Sequence, residues 1–158
     1  MYFWNIKQLI QDLKNNQVTQ AQFKNYYLVS GIFVLLGYFV YSQTAVTDLK
    51  ISFASLLIQC GLLITWLSLI FNANGGEQGQ QFLNRFIALM LPISIRVAVA
   101  MVFIWLTFEF LIQGYKTEVS AEQAVLIQNL LNAAFDVVIS FMVYWRIYVA
   151  MRQVNTPA

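Results

Sequence analysis

Two long apolar segments in the second half of the chain, residues 86–112 and 124–148, each hold one charge near the middle, Arg96 and Asp136. A helix of about 20 apolar residues crosses the roughly 30 Å hydrocarbon core of a bilayer. A charge at that depth is costly unless it is paired or wetted. Two further apolar runs, 27–41 and 49–71, bring the expected spans to four. Only 10% of the 158 residues are charged and 59% are hydrophobic. An ordinary globular domain carries about 25% charged residues, so too few are present to clothe a water-soluble surface. The expected fold is an all-α membrane protein of one domain, with four transmembrane helices preceded by a short amphipathic interfacial helix.

Several function classes drop out on composition. The formal net charge is +2 and the basic residues are scattered, so no phosphate-binding face for nucleic acid is expected. There is no histidine and one cysteine, Cys60. This excludes an internal disulfide, a Cys/His zinc site and His-ligated haem. Cys60 lies in an apolar run and is expected to pack as a small hydrophobe. No metal and no cofactor is expected. There is no Gly-x-Ser-x-Gly elbow, no histidine base and no pair of aspartates on facing spans. No catalytic residue is nominated, and a non-enzymatic protein is expected. Glu118 and Glu122, in or beside a loop, are expected to be solvated.

Residues 1–25 form the expected cytoplasmic amphipathic segment. Ile6, Leu9, Ile10 and Leu13 fall on one helical face, behind an aromatic group of Tyr2, Phe3 and Trp4. That face suits either the headgroup region or the cytoplasmic ends of the chain's own spans. The first apolar stretch starts only at Tyr27, so a retained first span is expected instead of a cleaved signal. Thr19 and Gln22 form a capping box, with Val18 and Phe23 placed as a staple, which starts a helix near Gln20. The second span stops at Asn72-Ala73-Asn74-Gly75-Gly76, where glycine supplies a left-handed cap. The following Glu77-Gln78-Gly79-Gln80 lacks the Gly-Lys-Ser/Thr of a phosphate loop and is expected to be a turn. Ser120 and Gln123 form a second capping box. The transmembrane domain is expected over 26–150, with a polar tail over 151–158.

Orientation follows from the basic residues. Lys7, Lys14, Lys24, Arg85, Arg146 and Arg152 fall on one side of the expected spans, and Lys50 and Lys116 on the other. Both termini are therefore expected in the cytoplasm, in a multi-pass protein of the membrane (in a bacterium, the inner membrane).

The candidate functional residues are polar groups inside the apolar runs. Counted from the expected cytoplasmic ends, Gln59, Arg96 and Asp136 share a depth near mid-membrane, and Tyr38 is placed to reach it. Asn132 lies one turn from Asp136. Gln128, Asn132, Asp136 and Ser140 recur every four residues and form one stripe on the fourth span. Glu109 and Thr107 extend the polar side of the third span, and Pro92 is a candidate hinge within it. The expected intramembrane layer is thus Gln59, Arg96, Asn132 and Asp136, with Gln128, Ser140 and Glu109 lining its approach. Such a layer fixes helix orientation through an Arg96–Asp136 pair, moves an ion or proton, or docks a second membrane protein. The favoured expectation is a non-enzymatic subunit or accessory protein acting through helix packing. Its partners would be the lipid bilayer and either copies of itself or a larger membrane complex. A small oligomeric transporter or proton pathway is the alternative.

Overall fold

The computed structural model describes residues 4–44, 49–116 and 120–156; over 38–44 and 112–116 it describes the backbone alone. Among the described residues the structure is helical, without strands. The helices are α1 (Ile6–Lys14), α2 (Gln20–Thr44), α3 (Leu49–Ala73), α4 (Phe82–Lys116) and α5 (Ala121–Asn155), with a 3₁₀ turn at Gly76–Gln78.

The helix starts obey local chemistry. Thr19 and Gln22 exchange hydrogen bonds, Gln22 N donating to Thr19 Oγ1 at 3.3 Å and Thr19 N to Gln22 Oε1 at 2.9 Å. This box opens α2, and the Ser120–Gln123 box opens α5. Asn5 caps α1 in the same manner, accepting from Gln8 N. α3 ends where Gly75 takes φ 100, a conformation that side-chain-bearing residues rarely adopt.

Three helices are long and apolar enough to cross a membrane: α3, the first 30 residues of α4, and α5. The remaining expected span, 27–41, falls in α2; its side chains from Tyr38 on lie outside the described residues. At 1.5 Å per residue the 25-residue helices are about 38 Å long and the 35-residue helices about 52 Å. The long pair therefore overshoots a 30 Å core by about 20 Å.

α2, α4, α5 and α3 pack as a row in that order, with α1 against α4 and α5. Starts of α2 and α4 share one end of the row with the ends of α3 and α5: Gln20, Phe23 and Lys24 meet Asn84 and Ile87, and Asn72 and Ala73 meet Arg152 and Asn155. Along the row, helix directions alternate only between α4 and α5, since α3 runs parallel to α5. Trp66 packs edge-on against Phe141 at 5.3 Å and Tyr148 at 6.0 Å to fix that last contact.

The core is concentrated at this shared end. Leu9 and Leu13 of α1, Tyr26 of α2, Ile70 of α3, Leu89 and Pro92 of α4, and Ile147 and Met151 of α5 are all buried. Away from it fewer side chains are buried, although α4 and α5 still meet at Phe108 and Phe135. Residues 31–37 of α2 are exposed throughout, and Phe103 and Phe110 of α4 are 67% and 78% exposed.

Of the two targets expected for α1 the structure shows the second, and α5 runs further than expected. α1 buries its apolar face on the chain's own helices, because Leu9 and Leu13 fill the groove between α4 and α5. The chain after residue 150 is also not simply a tail, since α5 continues to Asn155. Ile147, Met151 and Val154 follow helical spacing and keep one apolar face buried.

Candidate functional site

The stripe on α5 faces α4 over its outer half. Gln128 Nε2 donates to Glu109 Oε1 at 2.6 Å and to Asn132 Oδ1 at 3.1 Å, joining the two helices through an amide and a carboxylate. Phe108 meets Phe135 edge-on in the same stretch, with ring centroids 5.7 Å apart. Towards the shared end the helices leave a cleft of roughly 270 Å³ between them. Asn132, Asp136 and Ile139 line it from α5, and Ala98, Met101, Val102 and Trp105 from α4. Asn132 and Asp136 are the two polar side chains in an otherwise apolar wall. Asp136 is solvent-accessible in the isolated chain and forms no ion pair among the described residues.

The register explains why Arg96 and Asp136 do not meet. α4 and α5 are antiparallel, with Glu109 opposite Gln128. Carried along the hairpin, that register sets Asp136 opposite Met101, five residues from Arg96. At 1.5 Å per residue this is an axial offset of about 7–8 Å, too great for the two side chains to share one layer. Counting depth from Arg85 and from Tyr148 hides this offset, because α5 runs beyond Tyr148 to Asn155.

Arg96 turns to α1 instead. Its guanidinium lies over the Trp4 ring, 5.7 Å from the centroid, a cation–π geometry. Its Nε is buried without a hydrogen-bond partner. Gln59 on α3 and Ser140 on α5 are half-buried and form no hydrogen bond among the described residues. Pro92 is fully buried, and α4 is continuous through it. Thr107 donates to the Phe103 carbonyl within its own helix.

At the shared end lies a polar cluster that sequence spacing does not reveal. Arg85 is 7% exposed and Asn74 is fully buried. Arg85 Nη1 donates to Asn74 Oδ1 at 3.1 Å, and Nη2 to Asn16 Oδ1 at 3.3 Å. Asn74 Nδ2 donates to the Gln80 carbonyl at 3.3 Å. One guanidinium thus clasps the α1–α2 connection and the α3–α4 turn to the first turn of α4. With Asn16 at Arg85 and Trp4 at Arg96, α1 runs alongside α4 in the opposite direction. The available signals were an arginine three residues into an apolar helix and an asparagine doublet before two glycines. Neither says which groups meet.

No group of three His, Cys, Asp or Glu residues suited to a metal ion occurs among the described residues. Comparison with protein-family models, with curated proteins and with solved structures finds no match.

Proposed function

We propose that the chain is a four-span membrane protein with both termini in the cytoplasm, acting without catalysis as a subunit or accessory protein through helix packing. The sidedness rests on charge: Lys24, Arg85, Arg146 and Arg152 all belong to the shared end of the bundle, as does α1 with Lys7 and Lys14. Basic residues favour the cytoplasmic face.

The observation that supports a packing role is the state of Asp136. It sits in the apolar stretch of α5, accessible and without an ion pair among the described residues, in a cleft open between α4 and α5. Lipid against such a cleft would leave a carboxylate and the Asn132 amide in hydrocarbon, which is strongly unfavourable. A polar surface of another membrane-embedded polypeptide, a second copy or a partner subunit, resolves the imbalance. The bare apolar faces of α2 and α4 extend the contact area on either side.

The same cleft favours a second reading, in which Asp136 takes up a proton or cation and Asn132 and Gln128 line the approach. One pair of measurements on Asp136→Asn separates the two. Loss of assembly in mild detergent, with no change in vesicle flux, supports packing. Loss of proton or cation flux from reconstituted vesicles, with assembly intact, supports transport. A reporter fused after Ala158 that proves extracytoplasmic overturns the orientation.

A further inference from the structure

The α3–α4 turn encloses a hollow whose electrostatics the rest of the fold leaves unbalanced. Roughly 300 Å³ in volume, it is lined by Asn74, Gln78, Gln80, Arg85 and Asn155 and by the backbone of Gly75 and Gly79. Among the described residues Arg85 is the one formal charge in its wall, and that residue is more than nine-tenths buried. A guanidinium has five N–H donors. Two are used here, and both acceptors, Asn74 and Asn16, are neutral amides. Asp12 and Glu77, the acidic residues of α1 and the 3₁₀ turn, make no ion pair with it among the described residues. The carbonyl end of α3 offsets on the order of half a charge. Burying a charge is costly unless it is paired, and no carboxylate among the described residues pairs with this one, although none of its nitrogens is both buried and without a hydrogen bond.

Two walls of the hollow are glycines packed closely against their neighbours. A Cβ on Gly79 would collide with the Asn74 carbonyl, and one on Gly75 would stand 3.4 Å from the Asn155 amide. Asn155 also borders an adjoining hollow of roughly 500 Å³ that contains Arg152, a second cation. We propose that the hollow at Arg85 binds a phosphate group. The planar guanidinium fork matches two phosphate oxygens, and Gln78 and Asn155, which line the same hollow, carry further amide donors. A bare phosphate leaves volume to spare, so a phosphate ester fits as well. The ester would come from an anionic lipid headgroup or from a soluble phosphate compound.

The test uses the full chain in nanodiscs and reads its thermal unfolding midpoint. In neutral phosphatidylcholine discs, inorganic phosphate is titrated against chloride at matched ionic strength. In a second arm, phosphatidylglycerol replaces part of the phosphatidylcholine. A saturable rise in the midpoint with free phosphate assigns a soluble ligand, and a rise only with phosphatidylglycerol assigns a headgroup. Arg85→Gln should weaken the response about tenfold or more, the usual effect of losing a charge-assisted hydrogen bond. Because Arg85→Gln also breaks the clasp, Gln78→Glu is the decisive variant. It puts a carboxylate in the hollow without touching the clasp and should abolish the response while the protein stays folded. No response in either arm overturns the proposal. So does a Gln78→Glu response equal to that of the unaltered chain, since the anion would then bind elsewhere.

Discussion

Asn74 is fully buried, and both ends of its amide are engaged: the oxygen accepts from Arg85 and the nitrogen donates to the Gln80 carbonyl. Asn74→Ala removes both bonds and strips the guanidinium of one of its two partners. A loss of about 1–3 kcal/mol in unfolding stability is expected, the cost of unsatisfied buried polar groups, measured by denaturation in detergent. Along the α4–α5 seam the expectations diverge between neighbours. Gln128→Leu removes the donor to Glu109 and to Asn132 and should destabilise by about 1 kcal/mol or more. Asp136→Asn breaks no ion pair among the described residues and should change stability by less than about 1 kcal/mol. The four-residue recurrence of Gln128, Asn132 and Asp136 was enough to place these side chains on one face of α5. It could not set that face against α4 at a given height, because spacing fixes direction around a helix and not translation along a neighbour. Arg96 is the consequence: its distance from Arg85 suggests the depth of Asp136, yet its partner is the Trp4 ring.

α1 shows how an amphipathic pattern leaves its target open. The spacing of Ile6, Leu9, Ile10 and Leu13 marks a buried face but does not distinguish lipid headgroups from protein. In the fold Leu9 and Leu13 have almost no exposure, and the two contacts Trp4–Arg96 and Asn16–Arg85 hold the helix along α4. Leu9→Ala should therefore cost about 2–5 kcal/mol, as for other fully buried leucines. A helix resting only on lipid would lose far less, so equilibrium unfolding of this variant decides between the two. The α3–α4 turn is similarly committed. Gly79→Ala drives a methyl group into the Asn74 carbonyl and should cost about 1–3 kcal/mol, the range for forced overpacking. Helix starts were legible where a side chain caps the backbone, as at Thr19 and Ser120. The end of α5 was not, because polar residues such as Arg152 and Gln153 alternate with the buried Met151 and Val154.

Taken together, the helices form a bundle with a packed end and an open one. Near the shared end, α1 and the polar clasp add to a continuous apolar core. Beyond it residues 31–37 of α2 are exposed, and α4 and α5 leave a cleft in which Asp136 forms no ion pair among the described residues. The apolar runs alone made a chain of long apolar helices legible, three of them long enough to cross a membrane. No spacing within the chain encodes what lies against the cleft at Asp136. We propose that another polypeptide segment fills that place. Native mass spectrometry of the full chain, extracted from its membrane in mild detergent, tests this directly. The predicted result is an assembly in which the 18.2 kDa chain is accompanied by further protein subunits, and from which Asp136→Leu dissociates. A lone chain carrying only lipid, unchanged by Asp136→Leu, would contradict it.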